Sequence, residues 1–129
     1  MEINSSFATV NQPLEAVFSR LSTPESFGVL MPEGASFSVG ENDSFRFKLG
    51  SMPELSLRIK ERISPGTIIL ESSGGKVAFE LIGQLEALEE NQTQVQLQFK
   101  GDLNPMMAMM VKKPLTQFLE ALIGNMDKL

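Results

Sequence analysis

A chain of 129 residues, 42% hydrophobic and 21% charged, has the length of one globular domain and the apolar content to build a core without staples. Eleven Lys plus Arg against 16 Asp plus Glu give a net charge of -5, which argues against a nucleic-acid-binding surface. Cys, His, Tyr and Trp are all absent, so disulfides, thiolate chemistry, imidazole-based triads and the commonest transition-metal ligand are excluded.

The first residues, Met1 to Phe7, are polar and include an acid, unlike the basic and then apolar start of a secretory signal, so a cytoplasmic location is expected. The stretch Ile3 to Val10 reads as one strand. Asn11-Gln12-Pro13 then opens a helix whose Leu14, Val17, Phe18 and Leu21 share a face, and Thr23-Pro24-Glu25 opens a second, short helix with Thr23 as its cap.

From Ser36 to Lys100 the apolar period becomes two. Phe37 and Val39, then Phe45, Phe47 and Leu49, then Leu55, Leu57, Ile59 and Ile63 alternate with polar residues, as do Val77, Phe79, Leu81 and Leu85, and Val95, Leu97 and Phe99. Short turn signals separate these runs, which predicts an antiparallel meander. A two-residue Pro65-Gly66 turn pairs Ile63 with Ile68, Glu61 with Leu70 and Lys60 with Glu71, although Pro-Gly suits a type II turn, disfavoured in hairpins, and a bulge or longer loop would shift this pairing by one. A Gly74-Gly75 turn pairs Leu70 with Phe79 and Ile68 with Leu81, and a turn near Asn91 pairs Leu85 with Leu97 and Gly83 with Phe99, where the glycine would relieve crowding or let the sheet bend.

Helical spacing returns after Asn104-Pro105, with Met107, Met110, Val111, Leu115, Phe118, Leu119, Leu122 and Met126 on a broad apolar face and Pro114 inside the run. Such a helix, kinked by Pro114, must cover the apolar side of the sheet. Its longest apolar cluster, Met106 to Val111, ends at Lys112-Lys113-Pro114, well short of the roughly 20 residues that span a bilayer. No membrane span is expected.

This order of elements, a strand, the Asn11-Gln12-Pro13-Leu14-Glu15-Ala16-Val17-Phe18 helix start, Leu30-Met31-Pro32, a meander and a long final helix with internal proline, resembles the START-like superfamily of polyketide cyclase and Bet v 1-like proteins. The resemblance implies an α+β helix-grip fold over residues 1–129 as a single START-like domain. A curved seven-stranded antiparallel sheet wraps the final helix, two short helices follow the first strand, and a cavity lies between sheet and helix. Members bind lipids, sterols, hormones or polyketides, and some are cyclases, hydrolases or partners of other proteins, so the fold does not choose a function.

The pattern places Leu57, Ile59, Phe79, Leu81, Leu97, Phe99, Met107, Met110, Val111 and Phe118 around that cavity, with Glu61 pointing to its rim or to its apolar side. An inward Glu61 is the only internal carboxylate available to hold a ligand hydroxyl or to act as a base. Outward charges Arg46, Lys48, Arg58, Lys60 and Arg62 share the other face with Glu71, Glu80 and Glu86, as a solvated mixed-charge surface does. Ser72-Ser73-Gly74-Gly75-Lys76 lies between strands and lacks the strand-to-helix context of a phosphate loop.

The expected function is non-enzymatic binding of a small hydrophobic molecule, a lipid, sterol or polyketide-like compound. A protein-interaction or regulatory module with a filled cavity is the alternative, and a cyclase or hydrolase comes third. No cofactor or metal is called for. What discriminates these readings is the cavity: open and apolar, filled by side chains, or open with converging polar groups.

Overall fold

The computed structural model describes residues 1–48, 54–73 and 78–129. The Leu49 and Val77 positions, the Gly74-Gly75 turn and most of the Ser72 to Lys76 run therefore lie outside the described residues. Strands β1 (Glu2–Asn4) and β2 (Ala8–Val10) precede helices α1 (Leu14–Leu21) and α2 (Pro24–Leu30). Strands β3 (Ser36–Val39), β4 (Ser44–Lys48), β5 (Leu55–Ile63), β6 (Thr67–Ser72), β7 (Phe79–Glu89) and β8 (Gln92–Gly101) follow, and helix α3 (Pro105–Gly124) with a last 3-10 turn (Met126–Lys128) ends the chain. The eight strands form one sheet in the order β1-β8-β7-β6-β5-β4-β3, with β2 also on β8, and every pairing is antiparallel.

Eight strands replace the expected seven because the first splits at Ser5. Its hydroxyl accepts the Leu97 amide at 2.9 Å and donates to the Ser6 carbonyl at 2.7 Å, while its own amide donates to the Leu97 carbonyl at 2.8 Å. A side chain thus takes over one rung of the ladder, and β1 and β2 continue along the same partner strand.

The helices follow the sequence closely. Val17 and Leu21 of α1 and Phe27 and Leu30 of α2 are buried. Thr23 precedes α2 as read, but its hydroxyl bonds to the Arg20 carbonyl and to Ser26 Oγ, both at 2.9 Å, rather than to the helix amides. In α3, Asn104 Oδ1 accepts the Met107 amide at 2.8 Å, as a cap should. The helix runs through Pro114 without a break.

Two of the three predicted registers move by an even number of residues, which leaves the faces intact. Leu70 meets Leu81 rather than Phe79, and Gly83 meets Leu97 rather than Phe99, so apolar residues still oppose apolar ones. A methyl group at Gly83 would find only ordinary contacts, at 3.8 Å from Leu97 and 3.9 Å from Ile68, so crowding does not explain that glycine.

The β5–β6 hairpin is different. Its turn holds three residues, Ser64, Pro65 and Gly66, so Ile63 faces Thr67, not Ile68. A bulge between Ile59 and Glu61 then adds a second shift, and beyond it Arg58 faces Glu71. Arg58 Nε donates to Glu71 at 2.7 Å, while Lys60 turns to Glu80 at 2.9 Å. The expected Lys60–Glu71 pair is replaced by these two.

The core lies between the inner sheet face, α1, α2 and the second half of α3. Phe27, Phe45, Phe47 and Phe118 form a chain of rings linking α2, β4 and α3, and Phe47 and Phe118 stack with centroids 4.8 Å apart and planes inclined by 12°.

Candidate functional site

Burial along α3 changes at Pro114. Leu115, Phe118, Leu119, Leu122 and Ile123 are buried against the sheet and the early helices, whereas Met106, Met107, Met109 and Met110 are exposed. Ala108 and Val111, half-buried, lie on the stripe that continues through Leu115 and Phe118 at spacings of three and four. The sheet-facing surface of α3 is therefore Ala108, Val111, Leu115, Phe118 and Leu122.

Beneath Leu115 the sheet and helix leave a small space whose lining side chains are all apolar. Leu57, Phe79, Leu81, Phe99 and Phe118 line it, as does the set Phe47, Leu55, Leu115 and Leu119, which the sequence reading left out of the site. Its volume is about 10 Å³, no more than one water molecule needs, so side chains fill most of the cavity expected between sheet and helix. Phe79 stacks on Phe99 with ring centroids 5.2 Å apart, closing one end. Leu55 and Phe79 are only half-buried, and there the apolar seam reaches the surface.

The other predicted positions fall elsewhere. Ile59 and Leu97 are buried in the core without lining this space, and Val111 sits one turn beyond it. Met107 is at the edge of the exposed set, and Met110 is exposed, off the sheet-facing stripe and about 100° around α3 from Val111. Glu61 faces water. The bulge sets it opposite Ile69, a position between the inward Ile68 and Leu70, so the carboxylate emerges on the outer face beside Lys60.

The side chain that the bulge turns toward the helices is Arg62, placed opposite buried Ile68. Its Nε and Nη2 donate to the Ser22 carbonyl at 3.1 and 2.8 Å, and Nη2 lies 3.1 Å from Asp43 Oδ2. This corrects the outward reading of Arg62, and Ile63 is correspondingly exposed. The signal available in the sequence was the proline turn, whose length sets the phase of the whole strand.

Charge on the outer face is organised by the two pairs Arg58–Glu71 and Lys60–Glu80, while Arg62–Asp43 lies on the helix side of the sheet. The hydrogen bond and charge of Glu80 hold the Lys60 ammonium above its ordinary pKa. A wide surface concavity of about 670 Å³ lies at the β7–β8 end, open to solvent and bordered by the carboxylates of Glu2, Glu71, Glu80 and Asp102 together with Lys100, Met1, Ala78 and Phe79. Among the described residues no three Asp or Glu side chains gather to hold a metal ion.

An antiparallel sheet gripping a long terminal helix, with two short helices at one end and an apolar seam between, is the helix-grip fold of the START-like and Bet v 1-like proteins. Norcoclaurine synthase from Thalictrum flavum, solved in complex with dopamine and hydroxybenzaldehyde, superposes with a TM-score of 0.72 at 13% identity over 99% of this chain and 84% of that one. A conserved protein from Geobacillus kaustophilus gives a TM-score of 0.70 at 16% identity, covering 99% and 93% of the two chains. A protein from Arthrobacter aurescens gives 0.74 at 14% identity, covering 98% and 83%. No protein-family model matches the sequence, and no curated protein matches it. No helix in the described residues is long and apolar enough to cross a membrane.

Proposed function

We propose that residues 1–129 act as a single START-like domain in the cytoplasm that binds a small hydrophobic molecule without chemically changing it, in the seam between the sheet and α3. One observation carries this reading: the space under Leu115 is lined only by apolar side chains and runs out to half-buried Leu55 and Phe79, the place where a guest enters by displacing them. A guest such as a lipid, sterol or polyketide-like compound draws its affinity from apolar burial at about 25 cal/mol per Å², less the cost of ordering. Discrimination between similar guests is correspondingly weak. The outward Glu61 leaves the described seam without a carboxylate to serve as acid or base, which favours binding over chemistry.

A second reading is a protein-interaction module, and the small volume of the interior, about 10 Å³, favours it. The two separate by experiment. Fatty acids, sterols and aromatic polyketide-like compounds are titrated against the parent, Val111→Glu and Met110→Glu. Ligand binding predicts that the parent binds, that a charge at Val111 on the sheet-facing stripe abolishes binding, and that one at Met110, off that stripe, leaves it. A folded parent that binds none of these compounds supports the interaction module instead.

A further inference from the structure

The outer side of α3 carries the most exposed large apolar side chains of the described chain, with Met106, Met109 and Met110 at 74%, 83% and 72% exposure. Met109 and Met110 lie three and four residues after Met106, and Lys113 lies four and three after them, so the four form one stripe turned away from the sheet, with Lys112 beside it. From Leu103 to Leu119 the sequence contains no Asp or Glu, although the chain has 16 of them and a net charge of -5. The local sign is thus opposite to that of the whole molecule.

We propose that this stripe docks on an anionic lipid surface, with the three methionines entering the boundary between headgroups and acyl chains and Lys112 and Lys113 against the headgroups. A convex, narrow row of unbranched apolar side chains flanked by ammonium groups is the form that lies in a membrane interface. The reversed local charge orients the molecule with this end toward negative lipid and the acidic remainder away from it. A second copy is the poorer occupant, because it brings the same two lysines and the same charge of -5 to the contact. The docking is independent of whether the seam takes a guest.

The chain has no Trp or Tyr, so Met109→Trp supplies a single fluorescent reporter. Its emission is expected to shift to the blue with phosphatidylcholine vesicles that contain phosphatidylserine, and not with phosphatidylcholine alone. Adding Lys112→Gln and Lys113→Gln together should weaken partitioning about 30-fold, and raised salt should weaken it as well. Because the reporter alters the stripe, flotation of the unlabelled parent with the same vesicles is compared with a Met106→Ser/Met109→Ser/Met110→Ser variant, whose changes lie on exposed positions. An absent shift, equal binding to both vesicle types, or a triple variant that still floats overturns the proposal. A parent that ignores vesicles but elutes as a dimer, broken by the triple variant, also overturns it and makes the stripe a protein interface. None of the stripe's three methionines lines the seam, so failure of these assays leaves binding in the seam untouched.

Discussion

Arg62 holds the carbonyl of Ser22 with two guanidinium hydrogen bonds, at 3.1 and 2.8 Å, and so ties the end of β5 to the C-terminal end of α1. A cation at that end satisfies a carbonyl the helix leaves unpaired and complements its dipole. Replacing it by methionine should cost about 1 kcal/mol, since the side chain is partly exposed and solvent screens the charge. Urea denaturation measures this, and Arg62→Lys should recover only part because an ammonium cannot reproduce the fork.

The raised pKa of Lys60 gives a stability effect with a definite sign. Folding favours the protonated form, so the contribution is present below the ordinary value of 10.5 and is lost as pH rises through the higher folded value. Lys60→Met should therefore be slightly less stable than the parent at pH 8, with the gap closing as pH climbs past 10.5. A gap that persists unchanged would show that the loss comes from packing rather than charge.

The difference between what the sequence displayed and what it concealed lies in parity. At β6–β7 and β7–β8 the pairings move by two residues, so Leu81, Leu97 and Phe99 stay on the inner face where alternation put them. At β5–β6 a three-residue turn and a bulge intervene, and one odd step is enough to turn Glu61 outward and Arg62 toward α1. Alternation alone cannot reveal a bulge, because the extra residue breaks the very period being read. Met110 was hidden for another reason. The first half of α3 is apolar nearly all round, and only its continuation into Leu115 and Phe118 tells which stripe meets the sheet.

Phe118 is the anchor of that stripe. Its ring is buried and stacks on Phe47, so Phe118→Ala removes both apolar burial and an aromatic contact that joins α3 to β4. The expected loss is about 3–5 kcal/mol, a large part of the roughly 5–15 kcal/mol that holds a domain together. Thermal unfolding should show a sharply lowered midpoint, whereas Phe118→Leu should keep most of the stability.

Gly66 is required by proximity. A methyl group there would collide with the backbone carbonyl oxygen of Leu85, and the Leu85 amide already donates to the Gly66 carbonyl at 2.7 Å. Backbone on both sides cannot move aside as a side chain can. Gly66→Ala should therefore destabilise the protein by about 1–3 kcal/mol and speed amide hydrogen exchange at Leu85. Gly83→Ala, with no contact shorter than 3.8 Å, should be far milder.

Where a bound molecule sits is read most directly by isotope-filtered NOEs from an unlabelled fatty acid or sterol to a methyl-labelled protein. Binding in the seam predicts NOEs to the methyls of Leu57, Leu81, Leu115 and Leu119, which line the apolar space beneath α3. NOEs confined to Met106, Met109 and Met110 on the far side of the helix, with the four leucines silent, would contradict it.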